Sequence, residues 1–123
     1  MFAWDETAFI ELFGTMPEVD ASGGIDVQVV HAQGSLKLHL GFNVLTGDVQ
    51  VRLFAHGQGE PVFEAWIGES PGARVVRNAG AEFVEIGGTG AWPHVRGYDM
   101  LQPLAHGLRL FVAPALMVKA FGP

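Results

Sequence analysis

The chain has no cysteine. That excludes disulfides, thiolate metal sites and a cysteine nucleophile, and it fits a reducing compartment. Basic residues are also missing ahead of Lys37, so Met1-Phe2-Ala3-Trp4 does not read as the charged start of a secretory leader, and none is expected. No apolar run approaches the roughly 18 residues that a membrane span needs. The expectation is a cytoplasmic protein with no membrane association.

Charge is scarce: charged side chains make up 16% of the 123 residues, and the seven Lys and Arg are scattered. Duplex binding needs basic groups clustered to meet phosphates, so nucleic acid is not an expected partner. The net charge of -6 is unevenly placed. Asp5, Glu6, Glu11, Glu18, Asp20 and Asp26 all precede the first base, whereas from Lys37 onward seven acids meet seven bases. The imbalance therefore lies in the first 26 residues.

Catalytic patterns are thin. The five histidines, at 31, 39, 56, 94 and 106, show neither His-x-His nor His-x-x-x-His spacing, and no metal or cofactor is expected. Ser22, Ser35 and Ser70 fall in turn sequences, none inside a Gly-x-Ser-x-Gly elbow. Gly87-Gly88-Thr89-Gly90 is followed by no lysine and no helix signature, which leaves a phosphate cradle without support. Glu64 and Glu85 form the sort of carboxylate pair that any acidic β domain offers. The expectation is a protein that is not an enzyme.

What is present is alternation. Hydrophobic residues make up 49%, enough for the core of one domain over 1–123. Ile25, Val27 and Val29, then Leu36, Leu38, Leu40 and Phe42, then Val49, Val51, Leu53 and Ala55 repeat with the period of two of half-buried strands. A hairpin turning at Gln33-Gly34 sets Val29 against Leu38 and Val27 against Leu40. A second, turning around Leu45 and Thr46, sets Leu40 against Val51 and Leu38 against Leu53. Gln28, His39 and Arg52 are then expected to share one polar row on the opposite face.

Ahead of this meander, 5–13 reads as a short helix with Asp5 as N-cap, Gly14 as its stop and Phe9, Leu12 and Phe13 on one side. It would close an open end of the fold. Residues 16–24, with Pro17 and Ser22-Gly23-Gly24, read as a loop. Further strands are expected at 62–67, with Trp66 packed or at a sheet edge, and at 73–77, 81–86, 107–112 and 116–121. Eight short strands separated by glycine-rich turns predict an all-β fold, an antiparallel sandwich or barrel with one N-terminal helix.

Between the strands of 25–86 and 107–121 runs a connection of about 20 residues, 87–106, longer than compact domains usually keep without a use. It holds Trp92, His94, Arg96, Tyr98 and Asp99, side chains that anchor interfaces. Two structural alternatives stand beside that. Trp92 and Leu101 would cover the open end with Arg96 pairing to Asp99, and Met100 to Ala105 would form a turn of helix.

Two functions follow. In the first, the acids Glu6, Glu11, Glu18 and Asp20 steer the chain onto a basic protein partner, a toxin or nuclease, and Trp92, His94, Arg96, Tyr98 and Asp99 anchor it there. Bacterial immunity proteins that neutralise toxic nucleases are of this physical type, an analogy of type and not of sequence. In the second, the many Phe and Leu line a β-barrel that encloses an apolar small molecule.

Overall fold

The computed structural model describes residues 1–20, 23 and 25–122. Ala21, Ser22 and Gly24 of the expected loop lie outside them.

The helix α1 (Glu6–Phe13) forms as its ends dictate: the Asp5 side chain accepts from the Ala8 N–H, and Gly14 closes the last turn at φ 73°. Nine strands follow among the described residues. A five-stranded antiparallel sheet is ordered β1 (Glu18–Val19), β2 (Asp26–Gln33), β3 (Leu36–Asn43), β4 (Val49–Ala55) and β5 (Phe63–Ile67). A four-stranded one is ordered β6 (Ala73–Asn78), β7 (Ala81–Ile86), β8 (Gly107–Ala113) and β9 (Met117–Phe121). The strand missing from the sequence expectation is β1, whose two residues pair with Gln28 and Val27 and are too few to show alternation.

Two sheets with open edges are a sandwich, so the barrel alternative is corrected. The material proposed to line a cavity fills a core instead. Val27, Val29, Leu38, Leu40 and Val51 of one sheet pack in the same buried cluster as Val84, Ile86 and Leu110 of the other. At one end Phe2 stacks on Phe42 at 4.5 Å, Trp4 sets its edge against Phe9 and Phe42, and Phe9 meets Phe13. The helix thus supplies Phe9, Leu12 and Phe13 to the common core.

Register is as expected in the second hairpin: Leu40 faces Val51, Leu38 faces Leu53, and His39 stands opposite Arg52. The first hairpin needs correction. Gln33 pairs with Leu36, so the turn is Gly34-Ser35, with Gly34 at the first central position and φ 61°, as a type II′ turn requires. Val29 then faces Leu40 and Val27 faces Phe42. The slip of two residues keeps the rows of Val27 and Val29, of Leu38, Leu40 and Phe42, and of Val49, Val51 and Leu53 inward but changes the outer rows: Val30, His39, Arg52 and Glu64 form one, and Gln28, Gly41, Gln50 and Trp66 the next. Gln28 is therefore not in the row of His39. Trp66 lies on the edge strand β5, exposed. Gln33 ties the sheets together, its amide donating to the Val112 carbonyl at 2.8 Å and accepting from the Leu116 N–H at 2.7 Å.

Candidate functional site

The connection 87–106 lies over the outer face of the four-stranded sheet, and the sequence of β7 explains why that face needs cover. Val84 and Ile86 point into the main core, yet Phe83 and Glu85 on the other parity are buried too. Glu85 is wholly enclosed. Arg74 from β6 grips both of its carboxylate oxygens at 3.4 Å, and Arg109 from β8 donates Nε–H to Oε2 at 3.0 Å. The Arg109 guanidinium in turn lies over Phe121 at 4.3 Å and Phe83 at 5.4 Å. The Leu104 N–H completes the set, donating to Oε1 at 2.8 Å. A buried charge is tolerated only when its lone pairs are met in this way.

Above that anchor the connection folds on a small core of its own, in which Ala91, Tyr98 and Leu104 are buried and Ala3, Trp92, Met100 and Phe121 pack around them. The Tyr98 hydroxyl donates to the Gln102 carbonyl at 2.7 Å. Burial is the main reason its phenol is pushed up to about 12, with Arg74 opposing and the Glu85 and Asp99 charges adding to the rise. Trp92 lies between Tyr98 and His94, at ring separations of 4.9 and 4.5 Å, and its indole N–H donates to the Arg96 carbonyl at 2.9 Å. Asp99 accepts from the Leu101 N–H at 3.0 Å. That occupation, and the absence of an ion pair between Arg96 and Asp99 among the described residues, corrects the expected pairing.

The result is a knuckle packed on its own small core and tied by its own hydrogen bonds. Trp92 is half-buried in it, His94, Arg96 and Asp99 are exposed, and Tyr98 is structural by position, at 8% exposure. Val95 is fully exposed at its tip and Leu101 is 80% exposed, so Leu101 covers nothing. No helix forms over Met100–Ala105, where Met100 itself has φ 66°. A surface cleft lined by Trp92, His94, Val95, Arg96, Asp99 and Gln102 opens on this side.

The acids divide into two groups. Glu6 and Glu11 are exposed on α1, and Glu11 pairs with Arg77 at 3.2 Å, which Glu82 also holds at 2.7 Å. Glu18, Asp20 and Asp26 belong to the β1–β2 edge, where Asp20 Oδ1 accepts from the Ile25 and Asp26 N–H groups at 2.8 and 3.1 Å. The helix therefore meets β6 at its Arg77 end, while the knuckle is fixed at the Arg74 end.

Of the residue types associated with catalysis, Ser35, His39 and His56 share one surface cleft beside Phe54, and the other candidates stand apart from it. Glu64 and Glu85 stand on different sheets. Ser70 is buried, its hydroxyl bridging the Gly72 backbone, and Ser22 is outside the described residues. His31 donates Nδ1–H to the Phe13 carbonyl at 3.1 Å. His39 faces Phe54, and burial, followed by the Lys37 and Arg52 charges, lowers its pKa. Among the described residues no group of three or more His, Asp or Glu could hold a metal ion, and no helix is long and apolar enough to cross a membrane.

Sequence reasoning missed Arg74, Glu85 and Arg109. The available signal was Phe83 beside Val84, apolar on both parities of one strand, which marks a strand covered on both faces.

No protein-family model matches the chain, and no curated protein sequence matches it. In fold it is similar to a chain of the contact-dependent growth inhibition toxin–immunity protein complex from Klebsiella pneumoniae 342, with a TM-score of 0.72 and 11% sequence identity over 96% of this chain and 93% of that chain.

Proposed function

We propose that this chain is a small, acidic, non-enzymatic binding module of the inhibitory, immunity type, which docks on a basic protein partner such as a toxic nuclease in the bacterial cytoplasm. The observation that carries this is the likeness of fold, over nearly the whole chain, to a chain of a toxin–immunity protein complex. The chemistry fits the immunity side of such a pair. The net charge is -6, Glu64 and Glu85 stand on different sheets, and the knuckle presents Val95, Arg96 and His94 on a fixed base. A preformed protrusion loses little conformational entropy on binding, which suits a tight inhibitor. Glu6, Glu11, Glu18 and Asp20 raise the encounter rate with a basic partner, and Trp92, His94, Arg96 and Asp99 make the contact, with Tyr98 holding their base.

The test is affinity capture from an extract of the native host with the intact chain as bait, followed by co-expression. A basic protein retained at physiological salt, harmful to cells when expressed alone and tolerated beside this chain, is the expected outcome. A bait that retains no basic protein, or one whose harm persists on co-expression, refutes the proposal.

A further inference from the structure

The outer face of the five-stranded sheet is covered by no other element among the described residues, and one part of it is built differently from the rest. Gln28, Gly41, Gln50 and Trp66 form a row across β2, β3, β4 and β5. At its centre Gly41 has no side chain, and the Gln28 amide lies across it: a Cβ there would come within 2.9 Å of Gln28 Nε2. The Gln28 amide therefore forms the floor, and a cleft of about 300 Å³ opens above it. Its wall at one end carries Asp26 and Asp48, and Trp66 stands at the other side, 71% exposed.

Among the residues lining this cleft there is no Lys, Arg or His. Asp26 is oriented by Asn43, whose amide donates to it at 3.0 Å, and Asn43 is itself fixed by accepting from the Leu45 and Thr46 N–H groups. Neither carboxylate is in an ion pair among the described residues. The nearest cation along the strand, Arg52, faces Glu64 on one side and His39 on the other and lies toward Phe54, 6.0 Å from that ring, with Lys37 beyond it. So the face is divided: its cations gather at the hairpin end with Phe54, and this end holds acids, amides and a bare indole.

We infer that this cleft receives an arginine side chain of the basic partner, stacked on Trp66 with its N–H groups directed to Asp26, Asp48 and the Gln28 and Gln50 carbonyls. The inference rests on the proposed function and adds a second contact surface, away from the knuckle. Charge complementarity selects a cation. The planar fork of a guanidinium, which stacks on an aromatic face while donating sideways to several oxygens, selects arginine over the point charge of lysine.

The test is an NMR titration of the intact chain with the blocked tripeptide Gly-Arg-Gly, and with its citrulline and lysine counterparts. The arginine peptide is expected to move the Trp66 indole N–H and the Gln28 and Gln50 side-chain amides saturably, with the lysine peptide weaker and the citrulline peptide inert. Trp66→Ala and Asp48→Asn, both exposed and outside the core, should each weaken it roughly fivefold. Equal response to citrulline, shifts centred on Val95, or native affinity in both variants would overturn the cleft. A basic partner held as tightly by both variants as by the native chain would sink this contact and leave the proposed function standing. Saturable arginine binding with no partner retained would do the opposite.

Discussion

The backbone N–H of Leu104 donates to the carboxylate of Glu85, so the far end of a long connection hangs from a wholly buried charge. Two arginines face that charge from the neighbouring strands. Glu85→Gln keeps the shape but leaves Arg74 and Arg109 without their counter-ion. Breaking a buried pair from one side costs about 3 kcal/mol. Urea denaturation should show that loss. Hydrogen exchange should show the amides of Ala91, Tyr98 and Leu104 opening first, since the small core around them loses its tether while the main core keeps all its contacts.

Leu38 and Leu40 are both fully buried on the central strand, whereas Lys37 is exposed on the other parity. Leu40→Ala or Leu38→Ala should destabilise the protein by roughly 2 to 5 kcal/mol through lost burial and the cavity left behind. Lys37→Ala should stay within about 0.5 kcal/mol. Denaturation midpoints measured side by side decide this, and equal midpoints for Leu40→Ala and Lys37→Ala would contradict the packing.

These contrasts also show what a sequence can disclose. The pairing of His39 with Arg52 was legible because one parity buries Leu38, Leu40, Val51 and Leu53 together and the turn around Leu45 and Thr46 selects the register within that parity. The turn at Gly34-Ser35 was not, because a slip of two residues leaves the same apolar rows inward, and alternation cannot distinguish the two registers. The pairing of Gln33 with Leu36 decides between them. The length of 87–106 and its aromatic content marked it as special. That Tyr98 would turn inward and Val95 outward depends on Glu85, Arg74 and Arg109, which meet only after three strands have paired. The cleft beside Trp66 was hidden for the same reason: the row that places Gly41 between Gln28 and Gln50 exists only in the correct register.

Tyr98 is the only tyrosine, so its ionisation can be followed directly by ultraviolet absorbance. Burial raises the phenol from 10.0 to about 12, which means that the folded knuckle favours the neutral form. The sign follows: the contribution to stability is fully present below pH 10 and is lost as pH rises toward 12. Native protein should titrate about two units above free tyrosine, and Glu85→Gln, which removes one of the charges that raise it and loosens the cover, should titrate lower. A native phenol titrating near 10 would show that the knuckle does not exclude water from Tyr98.

Charge and contact should separate in the kinetics of the proposed complex. Glu6 and Glu18 are exposed and in no ion pair among the described residues, so Glu6→Gln and Glu18→Gln should act at long range, slowing association and flattening its dependence on salt. Glu11→Gln should have a similar effect, since it also removes one negative charge while Glu82 still holds Arg77 at 2.7 Å. Trp92 acts differently. It is half-buried among Tyr98, His94 and the Arg96 carbonyl, so its removal takes away both contact area and the brace that shapes the tip. Trp92→Ala should therefore raise the dissociation rate by about 2 kcal/mol, roughly 30-fold, with little change in association. Val95→Ala removes tip contact without touching the brace, and should raise dissociation less. Because Trp92 belongs to the small core around Tyr98 and not to the main one, the melting temperature should fall by only a few degrees. Surface plasmon resonance with melting curves on the same variants checks this. A Trp92→Ala chain that melts far lower while dissociating at the native rate would make Trp92 a structural residue alone.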